Sequence, residues 1–203
     1  MIKVLLAIIA LSMSAQACIA RDFLAEAVAR ITAAPSLSTR FEASDPAGGK
    51  VTGDAVIAGR CFAIVTDGGE YETWFDGKTQ WTYSAETGEV SMTEPTQQEI
   101  LEVNPLAIVT GIDSAYSISV PVAGKDGRQT YMLTPADSSS GIKKASVTID
   151  PATLLPVTIH ATLSDSSTLT IHFTETKIGD KIPVKRFRYD PMIHPDAEII
   201  DLR

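Results

Sequence analysis

Short runs in which apolar and polar residues alternate are the feature that most constrains this chain. They are rich in β-branched and aromatic residues and are separated by Gly, Asp and Pro. A period of two places every second side chain on the same face of a sheet, so each run predicts a strand with one buried face. We expect an antiparallel meander of about ten strands. The runs are SLSTRFEAS, KVTGDAVIAG, RCFAIVTD, YETWFDGKTQWTY, EVSMTE, RQTYMLTPA, KKASVTID, LPVTIHATL, SSTLTIHFTET and IPVKRFRYD.

The segment before the first strand has a different period. Apolar residues recur at helical spacing across residues 22–33, and Glu26 lies four positions before Arg30. This pattern predicts an amphipathic helix. One helix ahead of many strands indicates an α+β fold with an antiparallel sheet.

The chain begins with MIKVLLAIIALSMSAQA, which has the features of a secretory signal. A positive residue precedes a short apolar run, and Ala15 and Ala17 form an A-x-A cleavage site. We therefore expect residues 1–17 to be a signal peptide and residues 18–203 to be a single exported domain. Cys18 leaves lipidation open as an alternative, but Ala15 stands where lipoprotein signals usually carry Leu, so ordinary cleavage is favoured.

Charge and motifs limit the classes of function. The net charge is −8, and it becomes −9 without residues 1–17, because that segment contains one lysine, Lys3. An acidic chain is a poor partner for nucleic acid. The two cysteines and three histidines lack the spacing of a zinc site, and no hydrolase or metalloprotease motif occurs. We expect no enzyme activity, no cofactor and no metal.

The stretch WFDGKTQWTY, residues 74–83, holds both tryptophans of the chain. A three-residue turn with Gly77 in a left-handed conformation would place Tyr71, Trp81 and Tyr83 on one face. A two-residue turn would mix Glu72 with Tyr83. Segregation of polar from apolar residues therefore favours the longer turn.

A second pair of strands contains two histidines. Odd-numbered residues are apolar on both sides of the turn SDSST, so pairing like with like predicts His160 opposite His172 on the polar face. We interpret this pair as structural, since no third metal ligand is evident.

The segment TEPTQQEILEVNPLAIVTG, residues 93–111, interrupts the strands. Thr96 and Glu99 fit a capping box, and Asn104 followed by Pro105 fits the start of a second helix. Two short helices would cover the concave face of the sheet, although helices fixed permanently on the core fit the pattern equally well. The apolar residues that they present are Ile100, Leu101, Leu106, Ile108 and Val109.

Four motifs occur together in the order WFDGKTQWTY, EPTQQEILEVNPLAIV, YMLTP and PDAEIIDLR. In this order they resemble the periplasmic outer-membrane lipoprotein carrier family, the LolA-like proteins. The resemblance implies an incomplete, half-open β-barrel whose short helices act as a lid over acyl chains held on the concave face. Many members carry Arg followed by Pro in the strand that holds the lid closed, and Arg60, followed here by Cys61, is the candidate latch. The candidate cavity residues are Phe41, Phe62, Ile64, Tyr71, Trp81, Tyr83 and Leu133.

The same resemblance implies a function and partners. A monomer in the periplasm would take acylated lipoproteins from an inner-membrane exporter and deliver them to an outer-membrane acceptor. Two alternatives stay open on the same fold. One is an envelope module that binds lipid or protein, as a stress sensor does, and the other is a lipid-anchored acceptor modified at Cys18.

Overall fold

The computed structural model describes residues 24–96, 99–100, 104, 106, 109, 116–137 and 140–203. The expected signal peptide, Cys18, Leu101 and Ile108 lie outside these residues. Within them, no helix is long and apolar enough to cross a membrane.

The regular structure of the described residues includes helix α1 and thirteen strands. Helix α1 spans residues 24–33, as the apolar spacing predicts, and a short 3-10 helix spans Val184–Phe187. The strands are β1 Ser36–Ser44, β2 Lys50–Ala58, β3 Cys61–Thr66, β4 Tyr71–Phe75, β5 Gln80–Ser84, β6 Glu89–Thr93, β7 Tyr116–Ile118, β8 Val122–Ala123, β9 Gln129–Pro135, β10 Ile142–Asp150, β11 Leu155–Leu163, β12 Thr168–Gly179 and β13 Glu198–Asp201.

The strands form one sheet in the order β13-β6-β5-β4-β3-β2-β1-β12-β11-β10-β9-β7, with β8 also paired to β9. Two antiparallel meanders, β1 to β6 and β9 to β12, are joined where β1 pairs with β12. Strand β13 is parallel to β6, and the described strands at the two ends do not pair with each other, so the sheet is unclosed. The predicted α+β class and antiparallel sheet are confirmed, while a single meander is wrong because the long-range β1–β12 pairing joins two.

One predicted strand is absent. Residues 182–190 were expected to be extended, but Val184–Phe187 form the 3-10 helix. Pro183 cannot donate a hydrogen bond to a ladder, and Phe187 and Tyr189 are buried by packing rather than by strand pairing.

One face of the sheet, here called the helix face, carries the main core. Leu24, Ala27, Val28 and Ile31 of α1 are buried there. Odd-numbered residues of β9 to β12 meet them, as the alternation predicts. The best-buried members are Tyr131, Leu133, Val147, Ile149, Ile159, Ile171 and Phe173.

The opposite face, here called the outer face, is covered over β4 to β6 by the C-terminal segment, residues 184–203. Trp74, Val90 and Tyr189 are buried in a cluster there, with Trp81 and Tyr83 packed against it.

Candidate ligand-binding cavity

A cavity of about 370 Å³ lies on the helix face. It is bounded by the end of α1, by β1, β2 and β4, and by Ile100, Asn104 and Leu106. These three residues belong to residues 96–109, here called the cover segment. Most of its walls are apolar, and Arg60 is the charged side chain among them. The lining residues are Ile31, Thr32, Ala34, Leu37, Ile57, Gly59, Arg60, Phe75, Ile100, Asn104 and Leu106.

The cover segment begins with the predicted capping box. The backbone N–H of Thr96 donates to Glu99 Oε2 at 2.7 Å, and the backbone N–H of Glu99 donates to Thr96 Oγ1 at 3.3 Å. Hydrogen bonds from the Thr96 backbone and side chain lower the pKa of Glu99, because they stabilise its charged form. The capping box is confirmed, and it fixes the start of the helical turn that carries Ile100.

The cover segment is not one continuous helix. Ile100, Leu106 and Val109 are helical, whereas Asn104 between them is not. Asn104 still donates its backbone N–H to the Ile100 carbonyl at 2.8 Å, which closes the first turn. Asn104 lies at the position where the sequence predicts a break, and the division of the segment into two short helices stays a prediction.

The two ends of the cover segment pack on different parts of the helix face. Ile100 is buried against Phe62 and Phe75 in a small cluster. Leu106 and Val109 belong to the main core under α1. Ile100 and Leu106 both line the cavity.

Arg60 follows Gly59 in the tight turn between β2 and β3. Gly59 has φ +58°, a left-handed conformation that favours glycine. The Arg60 side chain is exposed and lines the cavity beside the cover segment. Among the described residues no hydrogen bond or ion pair engages it, so its role as a latch stays a prediction.

Four of the predicted cavity residues lie on the helix face without lining the cavity itself. Phe62 belongs to the small cluster that contains Ile100, and Ile64 packs against that cluster. Leu133 is buried in the main core, and Phe41 packs against it. Of the predicted site, Arg60, Ile100 and Leu106 line the cavity, and Val109 is buried nearby in the main core.

The predicted register of the β4–β5 hairpin is wrong. The Asp76 N–H donates to the Thr79 carbonyl at 3.2 Å, which closes a two-residue turn with Gly77 at φ +97°. Trp74 therefore faces Trp81, and Glu72 faces Tyr83. Trp81 and Tyr83 point to the outer face, away from the cavity. Tyr71 points the other way, is 50% exposed, and lies at the start of β4.

In this register Glu72 has a partly buried partner, His194. His194 Nε2 lies 3.1 Å from Glu72 Oε1, and the His194 ring stacks on Tyr83 with centroids 3.6 Å apart. Tyr189 donates its hydroxyl hydrogen to the His194 carbonyl at 2.9 Å. The outer face is thus a binding surface for the C-terminal segment, which allows a carboxylate to lie among aromatic rings.

Asp76 attaches the same segment to the hairpin turn. Burial by itself raises the pKa of Asp76, but the backbone N–H groups of Thr79 and Lys78 and the Arg188 guanidinium outweigh burial, so its pKa is lowered. Arg188 Nε donates to Asp76 Oδ2 at 2.8 Å, and the Asp76 side chain is 9% exposed. The charged carboxylate joins the turn to the chain that crosses it.

The cavity has walls that sequence reasoning missed. Thr32 and Ala34 at the end of α1 and Phe75 of β4 line it. The apolar spacing of α1 shows that one helical face is buried, but not which strands it meets. No local signal brings the end of α1 beside the β2–β3 turn.

These features place the chain in a class of α+β proteins with one helix packed on one unclosed, mostly antiparallel sheet and an apolar cavity on the helix face. The chain belongs to the outer membrane lipoprotein carrier protein LolA family, whose model matches residues 11–164. No curated protein matches the chain.

Two solved structures share the fold at low identity, and a third is similar over part of its length. An uncharacterized conserved protein from Thermus thermophilus matches with a TM-score of 0.57 and 12% identity, over 88% of this chain and 96% of that chain. A DUF1329 family protein from Desulfovibrio piger has a TM-score of 0.50 and 9% identity, over 85% of this chain and 97% of that chain. The Pseudomonas aeruginosa MucA/MucB complex gives a TM-score of 0.49 and 15% identity, over 89% of this chain and 63% of that chain.

Proposed function

We propose that this protein is a periplasmic carrier that shields acyl chains of lipoproteins between the inner and outer membranes. The observation that carries the proposal is the apolar cavity of about 370 Å³ between α1, the sheet and the cover segment. Membership of the lipoprotein carrier family supports the same ligand class. Binding and release are sufficient for such a function, and we propose no catalytic step.

The physical requirement is to keep hydrocarbon out of water. Each CH₂ group of an exposed acyl chain costs about 0.8 kcal/mol, so a lipidated protein needs a shield to cross an aqueous compartment. Ligand pockets commonly measure about 300–1,000 Å³, and this cavity is near the lower limit. In the described arrangement it would hold part of an acyl chain, so a cargo with several chains requires the walls to move.

The Ile100 end of the cover segment is the part that we propose moves. Among the described residues, Ile100 is buried in the small cluster with Phe62 and Phe75, whereas Leu106 joins the main core. Few buried contacts mean a low free energy of local opening. Movement there would widen the cavity without separating α1 from the sheet, and Arg60 at the cavity wall would hold the cover segment closed.

The partners follow from this cycle. An inner-membrane exporter would load the acyl chains and an outer-membrane acceptor would remove them. The bound state must therefore be easy to reverse, which favours a cavity of moderate size over a tightly packed pocket.

Two measurements test the proposal. Organic extraction and mass spectrometry of tag-free protein purified from the periplasm should recover acyl chains or an acylated protein. Titration with cis-parinaric acid, a fluorescent fatty acid, should show saturable binding. Ile57→Trp should weaken this binding at least tenfold, because Ile57 lines the cavity and indole would fill it.

Val56→Trp is the matched control, since Val56 precedes Ile57 on β2 and points to the other face of the sheet. It should leave probe binding unchanged. Equal binding of the probe by wild type and both variants, with no acyl chain in the extract, would refute the proposed carrier function. Recovery of a tightly bound protein without acyl chains would instead favour an envelope protein-binding module.

A further inference from the structure

Two histidines lie side by side on the outer face, remote from the cavity. His160 of β11 and His172 of β12 are both exposed, and their ring centroids are 6.5 Å apart with the planes at 85°. In the register of the two strands His160 faces Thr170 and His172 faces Thr158, so the histidines are diagonal neighbours. The predicted direct pairing of His160 with His172 is therefore wrong by two residues, although both do lie on the same face.

A threonine on the facing strand orients each ring. Thr170 Oγ1 lies 2.8 Å from His160 Nδ1, and Thr158 Oγ1 lies 3.1 Å from His172 Nδ1. A histidine that donates its Nδ1–H to an oxygen presents the lone pair of Nε2, which is the usual arrangement around a protein-bound metal. No other hydrogen bond or ion pair to a described residue holds either ring, so both Nε2 atoms remain available.

We propose that His160 and His172 bind one divalent transition-metal ion, Zn²⁺, Cu²⁺ or Ni²⁺, through their Nε2 atoms. Zinc–nitrogen bonds of about 2.0–2.1 Å in tetrahedral geometry place the two ring centroids about 5 Å apart. The rings thus need to approach by about 1.5 Å, and rotation of two exposed side chains supplies this movement. The strands beneath them are hydrogen-bonded neighbours, so the backbone holds the pair together before the metal arrives.

Water would complete the coordination. Within the described part of the chain, no group of three His, Cys, Asp or Glu side chains is arranged to hold a metal ion. Glu42 faces His172 from β1, but its carboxylate is paired with Lys50 Nζ at 2.8 Å. The site is therefore a two-imidazole site with open positions, which favours Cu²⁺ over the other two ions by the usual order of affinities.

Calorimetry of tag-free protein with Zn²⁺ and pulsed EPR of the Cu²⁺ form test the proposal. We expect one ion per chain and spectral coupling to two imidazoles. His160→Asn and His172→Asn should each weaken binding at least tenfold, because either change leaves a single ligand. Thr158→Val and Thr170→Val should weaken it less, by releasing one ring from its orientation.

His194→Gln is the control, because His194 is the third histidine of the chain and lies against Glu72 instead. It should bind metal as the wild type does, and circular dichroism of every variant should show the native sheet. Coupling to one imidazole, or affinities unaffected in both His160→Asn and His172→Asn, would overturn the proposal.

Discussion

Replacing Ile100 with alanine should distinguish a movable cover from ordinary core packing. Ile100 is 8% exposed and already borders the cavity. The change removes three carbon atoms, worth about 2.4 kcal/mol at about 0.8 kcal/mol each. The void penalty that usually adds to this loss should be small, since the removed atoms enlarge an existing cavity. We expect the free energy of unfolding to fall by about 2 kcal/mol.

Ile159→Ala is the matched comparison. Ile159 is 1% exposed in the main core and does not line the cavity. The same three carbons are lost there, but a new void is created, so the cost should approach about 4 kcal/mol. At about 2–4 °C per kcal/mol for a chain of this size, the melting temperature should fall by about 4–8 °C for Ile100→Ala and by about 8–16 °C for Ile159→Ala.

Urea unfolding followed by circular dichroism gives both free energies, and titration with cis-parinaric acid gives binding. Ile100→Ala should change the affinity for the probe several-fold, while Ile159→Ala should leave it unchanged. Equal losses of stability with unchanged binding in both variants would refute the reasoning. That result would mean that Ile100 is ordinary core and that the cavity does not receive the acyl chain.

Three further substitutions test particular contacts. Thr96→Ala removes the side-chain cap of the helical turn, which is worth about 1 kcal/mol. Hydrogen exchange of the Ile100 amide should therefore become about fivefold faster. An unchanged exchange rate would show that the cap does not stabilise this turn. Asp76→Asn should lower stability by about 2 kcal/mol at pH 7. Because the folded pKa of Asp76 is lowered, its contribution is present above the ordinary pKa of about 4 and is lost as the pH falls through the folded pKa, so the urea midpoints of wild type and variant should converge as the pH is lowered below about 4. Gly53→Ala would place a methyl group against the Val65 carbonyl, with Phe41 Cζ only 2.9 Å away. It should lower the free energy of unfolding by about 1–3 kcal/mol, measured by thermal unfolding. An unchanged stability would show that the neighbouring strands can shift to accept the methyl group.

Local patterns in the sequence predicted the elements well. Ile159 and Ala161 are buried and His160 is exposed, as the alternation in LPVTIHATL requires. The capping box of Thr96 and Glu99 is likewise a local signal, since both partners lie within four residues.

The pairing registers of the strands depend on turns and long-range contacts that local sequence patterns do not show. In the β11–β12 hairpin, the Leu163 N–H donates to the Ser167 carbonyl, and Ser166 adopts φ +73°. Serine rarely adopts a left-handed conformation, so the sequence did not indicate this short turn and predicted a longer loop. The observed pairing of the histidines therefore differs from the predicted pairing by two residues. In the β4–β5 hairpin, the partner that allows Glu72 to lie among aromatic rings is His194, 122 residues further along the chain.

The cavity could be predicted only in part for the same reason. The apolar residues of the cover segment were visible in the sequence. Their apposition to the end of α1 and to the β2–β3 turn follows from the pairing of β1 with β2 and β12, which is a property of the whole sheet.

Both tryptophans lie on the outer face, although the cavity lies on the other. Trp74 is buried against Tyr189 with ring centroids 5.4 Å apart, and Trp81 is its partner across the hairpin. The intrinsic ultraviolet emission of this protein therefore reports on the C-terminal segment. Detachment of that segment would expose indole to water and shift the emission to longer wavelength. A guest in the cavity would be spectroscopically silent unless it also disturbed the opposite face, so its arrival must be followed with a dye or an isotope label.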